Sequence, residues 1–406
     1  MKKNYAENYE TLYTPDIPEL GTGPISVDSY ISEEIYEKEI EYVFRKSWFY
    51  VCSASELKET GSYVVKEIPH LKKSLILVKD TSGDIKGFEN ACKHRGNRLI
   101  YDECPGKKTA TFVCPFHGWA YNLDGTLRGI PERDRFFDID TSTLSLTPIT
   151  VAVWNGLVFY HPESKPEKSI KEYLGGMGES LKRYPFGEKV KAAEWSVEVD
   201  ANWKVFVDAF QEGYHVAVVH KRTAPKLFTG SKRPSCRLSN FRLHENHRAV
   251  TTPMNPDFVP SETEALSFKL AGSALSQDGM AQRAEDMGIN PGGEKDFSFD
   301  INVIFPTTFL DTSVGWYFSY EFWPVSKNKT KWVAKFYADP VKTWSERIGL
   351  EFTIVQLREA LFEDLTTIEM TQKGLESGAI QQIVLSDQEL AIRHQHQVLD
   401  KILSNY

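Results

Sequence analysis

Between Ser32 and Trp48, apolar residues recur at helical spacing (Tyr36, Ile40, Val43, Phe44), and Ser32 stands at an N-cap position ahead of Glu33 and Glu34. A helix is expected there. From about Phe49 to Tyr160 the pattern changes to short or alternating apolar runs, SLILVKD, TATFVCP and TVAVWNGLVFY, separated by turns such as SGD and LDG. This predicts a small antiparallel β domain. The charged, proline-containing stretch HPESKPEKSIKEY reads as a linker with its boundary near Pro162. The division expected is an arm and helix over 1–48, a β domain over 49–162 and a second domain over 163–406. The second domain shows the strand signal EWSVEVDANW, a helical run from Asn202, strand signals at INVIFPTTFL, GWYFSYEFWP and KWVAKFYADP, and a long helical pattern from about Glu346 to Lys373. Strands between helices in this order predict an α+β domain with an antiparallel sheet. Residues 251–296 have no clear period and read as a candidate lid.

Composition narrows the classes. Hydrophobic residues make up 41% and charged residues 26%, and the net charge of -8 is spread along the chain, which argues against nucleic acid as a partner. The first residues have no apolar run behind Lys2 and Lys3, and no later run reaches the length of a bilayer span, so a cytoplasmic protein without a membrane partner is expected. Five cysteines at irregular spacing suit a reducing compartment better than a disulfide framework.

Two segments carry metal chemistry. Cys92-Lys-His94-Arg-Gly and Cys114-Pro-Phe-His117-Gly-Trp each bring one thiolate and one imidazole. Tetrahedral zinc accepts two Cys and two His, but common zinc fingers pair the cysteines first and the histidines second. One Cys and one His from each loop suit a [2Fe-2S] cluster in which His replaces Cys on one iron, with Cys92 and Cys114 on one metal and His94 and His117 on the other. Cys104 fits no ligand position. In the second segment Asp208, Glu212, His215 and His220 fall within thirteen residues. On a continuous helix Asp208, Glu212 and His215 would share a face. His220 would then lie about 140° from His215, so the two bind one metal only if the helix ends or deforms between them. Two His and one carboxylate form the facial triad that holds Fe(II) with open positions. Asp364 sits inside the apolar stripe Leu357, Leu361 and Ile368, where an unpaired carboxylate is costly and a metal or cation is expected nearby. Glu363 lies off the stripe and reads as solvated.

The CxHRG and CPxHGW segments, with Tyr121 and the LDG turn at 123–125, resemble those of Rieske-type non-haem iron oxygenases, the aromatic ring-hydroxylating dioxygenase alpha subunit family. The NWK…ExYHxxxxH pattern is similar to that family's catalytic domain. The resemblance implies a Rieske [2Fe-2S] domain with a C-terminal helix-grip domain, and a mononuclear Fe(II) on His215, His220 and Asp364. It implies that Glu212 bridges to a cluster histidine of a neighbouring subunit in a homotrimer. Asp208 stands where many members have Asn, so Glu212 and Asp208 are the candidate catalytic residues beside the metal. The activity implied is that of a terminal oxygenase that hydroxylates, cis-dihydroxylates or demethylates an organic substrate, aromatic or otherwise apolar, as in aromatic hydrocarbon catabolism. Aromatic acids, polycyclic or steroid-like compounds and quaternary amines all remain open. No bound flavin or nicotinamide is expected, because the glycines at Gly175-Gly-Met-Gly178 lack the third glycine and the preceding strand of a dinucleotide loop. A separate reductase, with or without a ferredoxin, would supply electrons.

Overall fold

The computed structural model describes residues 17–101, 107–231, 233–271 and 279–406; Cys104 lies outside them. The chain divides into two compact units, one made of 45–173 with 185–190, the other of the residues up to 44 together with 174–184 and 191–406. Among the described residues no helix is long and apolar enough to cross a membrane.

Helix α1 (Glu33–Tyr42) begins at Ser32, whose hydroxyl accepts from the Ile35 backbone N–H. The unit around 45–173 is built on short antiparallel strands. β1 (Phe49–Ser53) pairs with β9 (Leu157–His161), which pairs with β8 (Thr150–Trp154). β2 (Ser62–Ile68), β3 (Lys73–Lys79) and β4 (Ile85–Glu89) form a second sheet. The small ladder of β5 (Phe112–Val113), β6 (Ala120–Tyr121) and β7 (Leu127–Gly129) completes the set. Val65, Ile76, Val78, Phe88, Trp119 and Tyr121 are buried in one core with Cys92 and Cys114.

The other unit is organised by a seven-stranded sheet. Its strands are β10 (Val190–Val199), β11 (Ser239–His244), β12 (His247–Pro253), β13 (Phe297–Ile304), β14 (Thr308–Ser313), β15 (Trp316–Ser326) and β16 (Lys329–Ala338), in the order β10-β16-β15-β14-β13-β12-β11. The ladders from β11 through β16 are antiparallel. Side chains alternate between faces with the strand period of two. On β15, Phe318, Tyr320 and Phe322 point to one side, toward α3 (Trp203–Ala209) and α7 (Trp344–Glu376), which pack on each other. On the opposite side Tyr317 stacks on Tyr337 and the Glu321 carboxylate accepts from Trp323 Nε1 at 2.9 Å.

Three elements differ from the sequence pattern. INVIFPTTFL forms two strands, β13 and β14, because Pro306, which has no N–H to give a ladder, lies in the turn between them. The aperiodic segment 251–296 contains helices α5 (Glu262–Leu270) and α6 (Met280–Asp286); α5 starts with a Ser261–Glu264 capping box. Beyond α7, helix α8 (Leu390–Leu403) buries His394, Gln395 and His396, polar residues at core positions that mask its apolar period.

Candidate metal centres and the cavity beside them

The two Cys–His loops share one backbone design. Gly96 N–H donates to Cys92 O at 2.8 Å and Gly118 N–H to Cys114 O at 3.0 Å, while the cysteine N–H groups donate to Asn97 O and Trp119 O. Gly96 and Gly118 both have positive φ, 77° and 71°, a conformation in which glycine is favoured. The loops place Cys92 and Cys114 in the core and bring the His94 and His117 rings to 4.7 Å between centroids. His94 stacks on Trp119 at 4.9 Å, and Tyr121 Oη sits 3.2 Å from Cys92 Sγ while accepting from Lys93 N–H at 2.9 Å. Burial, opposed by the Tyr121 hydrogen bond and reinforced by Cys114, pushes the Cys92 thiol up. His94 Nδ1 is buried with no hydrogen-bond partner. Two buried sulfurs and an orphaned imidazole nitrogen fit a cluster whose metals take thiolate on one side and imidazole on the other.

In the other unit α3 begins at Asn202, whose side chain accepts from Lys204 N–H, and stops at Ala209. It does not run on to His215, so the single helical face expected for Asp208, Glu212 and His215 does not form. The Glu212 carboxylate accepts from the Tyr214 and His215 backbone N–H groups, the latter at 3.2 Å, donors that a continued helix would give to carbonyls one turn back. A separate helical turn, α4 (Val216–Val219), follows, with His215 as its N-cap and His220 as its C-cap. The interruption places the two rings 5.2 Å apart. Asp364 on α7 completes the group: its Oδ1 lies 3.1 Å from His220 Nε2 and 3.5 Å from His215 Nε2. Ligand atoms of His215, His220 and Asp364 lie within 4.8 Å of one another, a donor set that fits a single Fe(II).

The other ring nitrogens are held by carboxylates. Glu212 Oε1 contacts His215 Nδ1 within the chain. Burial alone would lower the His215 imidazole, but the Glu212 hydrogen bond and charge, with Asp364, raise it. Glu363 corrects the reading of it as solvated: its part-buried carboxylate lies 3.2 Å from His220 Nδ1 and accepts from Thr223 Oγ1 and Arg222 Nε. Burial would raise this carboxyl, yet those hydrogen bonds hold it below the usual glutamate range. The periodicity of α7 missed Glu363 because its partners lie on a different segment.

Asp208 is directed elsewhere. Tyr30 Oη donates to its Oδ2 at 2.6 Å and lies 2.8 Å from His396 Nε2, and Gln395 and Gln211 donate to its Oδ1 at 3.0 and 3.2 Å. Arg248 donates to both glutamines; burial pushes its guanidinium down to about 9, opposed by Asp208. With α3 ending at Ala209, Asp208 faces this network, and the candidate ligands His215 and His220 follow on a separate turn.

A cavity of about 240 Å³ opens beside the triad. Ala209, Val216 and Trp316 line it, as do Phe210, Phe299, Phe318 and Tyr320. Phe309, also a pocket candidate by its aromatic strand, instead packs in the core against Phe322 at 5.2 Å.

The family model described as "Rieske [2Fe-2S] domain" matches residues 47–151, and that described as "Ring hydroxylating alpha subunit (catalytic domain)" matches 186–405. The chain belongs to the ring-hydroxylating alpha subunit family. It thus has the Rieske [2Fe-2S] domain and the non-haem iron catalytic domain of Rieske oxygenases. It is 33% identical over 193 residues to the carnitine monooxygenase oxygenase subunit of Escherichia coli K12, which covers 47% of this chain and 50% of that protein. The chain thus spans about half the length of the first of its curated relatives. It is 24% identical over 372 residues to the chloroplastic choline monooxygenase of Beta vulgaris, covering 90% of this chain and 74% of that protein. A quaternary ammonium Rieske monooxygenase structure superposes with a TM-score of 0.76 at 21% identity, over 96% of this chain and 100% of the other. Naphthalene 1,2-dioxygenase from Rhodococcus sp. does so with 0.73 at 19%, over 94% of each. At such identities the likeness establishes the fold.

Proposed function

We propose that this chain is the terminal oxygenase component of a system in which a separate reductase, with or without a ferredoxin, delivers electrons and oxygen from O₂ enters a C–H bond of a small amine of the quaternary ammonium type. The observation that carries the reading is the His215, His220 and Asp364 triad at the edge of an aromatic cavity, in a chain that also carries the Cys92, His94, Cys114 and His117 loops. Bound there, Fe(II) supplies open positions for dioxygen and the cluster supplies single electrons.

The chain's own residues do the positioning. Glu212 and Glu363 fix the two imidazoles through their far nitrogens, as outer partners of metal-bound histidines do. The expectation of aromatic hydrocarbon catabolism gives way to this reading, which the names of two relatives support, a carnitine monooxygenase and a choline monooxygenase. The cavity supports the change: about 240 Å³ is small beside the ~300–1,000 Å³ common for drug-sized ligands, which favours a compact substrate over a polycyclic one. The subunits are proposed to assemble head to tail as a homotrimer, with Glu212 linking the triad to the next subunit's cluster. Metal and sulfide analysis of the purified protein tests the reading. About three irons and two acid-labile sulfides per chain are expected, together with reductase-dependent O₂ uptake on a quaternary ammonium panel; zinc without sulfide would refute it.

A further inference from the structure

The cavity wall holds one acidic group whose role the metal site does not explain. Four acidic side chains line the cavity and, among the described residues, no Lys or Arg does. Three of the four are accounted for. Asp364 faces both histidines, Glu212 holds His215, and Glu264 closes the Ser261 capping box and accepts from Gln356 at 3.2 Å. The fourth is Asp311, in the middle of β14 between Ile301 and Phe318 on the neighbouring strands, both of which also line the cavity. It is only 8% exposed, Tyr320 hydrogen-bonds its carboxyl, and its Oδ1 is buried with no hydrogen-bond partner.

A buried carboxylate oxygen left unpaired is destabilising, and such a group in a ligand cavity is completed by what the ligand brings. The surrounding surface restricts what that is. Trp316, Phe318 and Tyr320 line the cavity along one strand, with neighbouring ring centroids 5.9 and 5.2 Å apart, and aromatic side chains are the uncharged groups that attract cations. Away from the metal position, a ligand carrying its own carboxylate would meet acidic groups on the wall and, among the described residues, no Lys or Arg. Resting on the proposed function for the location of the substrate, we infer that Asp311 is a specificity-determining residue that selects a substrate of net positive charge, a trialkylammonium or protonated tertiary amine without a carboxylate, and disfavours zwitterionic quaternary amines. Burial holds the Asp311 carboxyl well above the usual range in the ligand-free chain, so the cation supplies the charge that lets it ionise.

The test is calorimetric binding to the intact, metal-loaded protein, with choline, its uncharged carbon isostere 3,3-dimethylbutan-1-ol, and carnitine as probes. Choline is expected to bind at least about tenfold more tightly than either of the others. Asp311→Asn, nearly isosteric, should reduce choline affinity at least about tenfold and leave the isostere within about twofold, with iron content and melting temperature unchanged. Trp316→Leu serves as the second variant and should weaken choline more than the isostere. Tighter binding of carnitine than of choline, equal binding of choline and its isostere, an Asp311→Asn protein that keeps its choline affinity, or no binding of choline would each overturn the inference. Failure of the underlying reading would look different: the wild-type protein would lack the mononuclear iron or the cluster before any ligand was added.

Discussion

At the residue scale, the triad and its outer partners make separable contributions. Asp364→Ala removes a proposed ligand and should deplete the mononuclear iron while the cluster's visible absorption persists. Glu363→Gln keeps the shape at His220 Nδ1 but loses the charge, and loss of an outer partner typically costs ~10–100-fold in metal affinity or activity. Iron titration of the apo protein should place Glu363→Gln between wild type and Asp364→Ala; affinity unchanged within twofold would show that Glu363 does not orient the ligand. These residues differ in how visible they are in sequence. Cys92, His94, Cys114, His117, His215 and His220 are chemically conspicuous at short spacing, and Asp364 stands out as a charge within an apolar stripe. Glu363 and Asp311 are not conspicuous: Glu363 acquires meaning from partners on a segment far away in sequence, and Asp311 from an unpartnered oxygen in a cavity that forms only in the fold. Asp208 shows the converse: its spacing to Glu212 and His215 pointed to the metal only on the assumption of an unbroken helix.

At the element scale, the break after Ala209 gives a two-histidine segment the geometry the proposed iron site needs, because it lets His215 and His220 flank a single turn. Sequence periodicity defined where α3 begins, at Asn202, but after its end Glu212 captures the backbone donors of Tyr214 and His215, a local contact that apolar spacing does not register. A different limit explains why α8 was not legible: its buried polar residues answer Asp208, Arg248 and Glu245 across the fold. Helix α3 is also anchored from the N-terminal side. Lys204 Nζ lies 2.6 and 2.7 Å from the two oxygens of Glu39 on α1, and Trp203 Nε1 donates to the same carboxylate at 2.8 Å, all buried. Removing one member of such a pair leaves an uncompensated buried charge, so Glu39→Ala should destabilise the fold by ~3–5 kcal/mol. Denaturant unfolding should also find Glu39→Met with Lys204→Met less destabilised than Glu39→Ala alone. If both proteins lose the same stability, the cost is lost packing and not the stranded charge.

At the scale of the whole molecule, each candidate metal centre lies in its own unit, so damage to one should spare the other. A Cys92→Ser chain should keep its mononuclear iron and lack the cluster, a His215→Ala chain the reverse, and each alone should be inactive. In the proposed trimer, mixing the two should restore turnover wherever an intact cluster meets an intact triad across a subunit boundary; isolated mixed trimers with both metals loaded but no O₂ uptake would refute transfer between subunits. The α+β class and the two-part organisation were legible from the change of apolar period near the linker, whereas the return of the N-terminal helix to the second unit was not, since no local pattern encodes a partner about 165 residues away. That return also bears on the order of events during synthesis. The β unit is nearly contiguous in sequence and holds its own core, so it can fold as it emerges, as domains generally do. Tyr30 and Glu39 leave the ribosome before it, but Asp208, Lys204 and His396, which they bind, follow much later. The unit with the proposed iron site is therefore completed last, when translation has passed α8, and a nascent chain can form the loops for an electron store before it has a site at which to spend an electron.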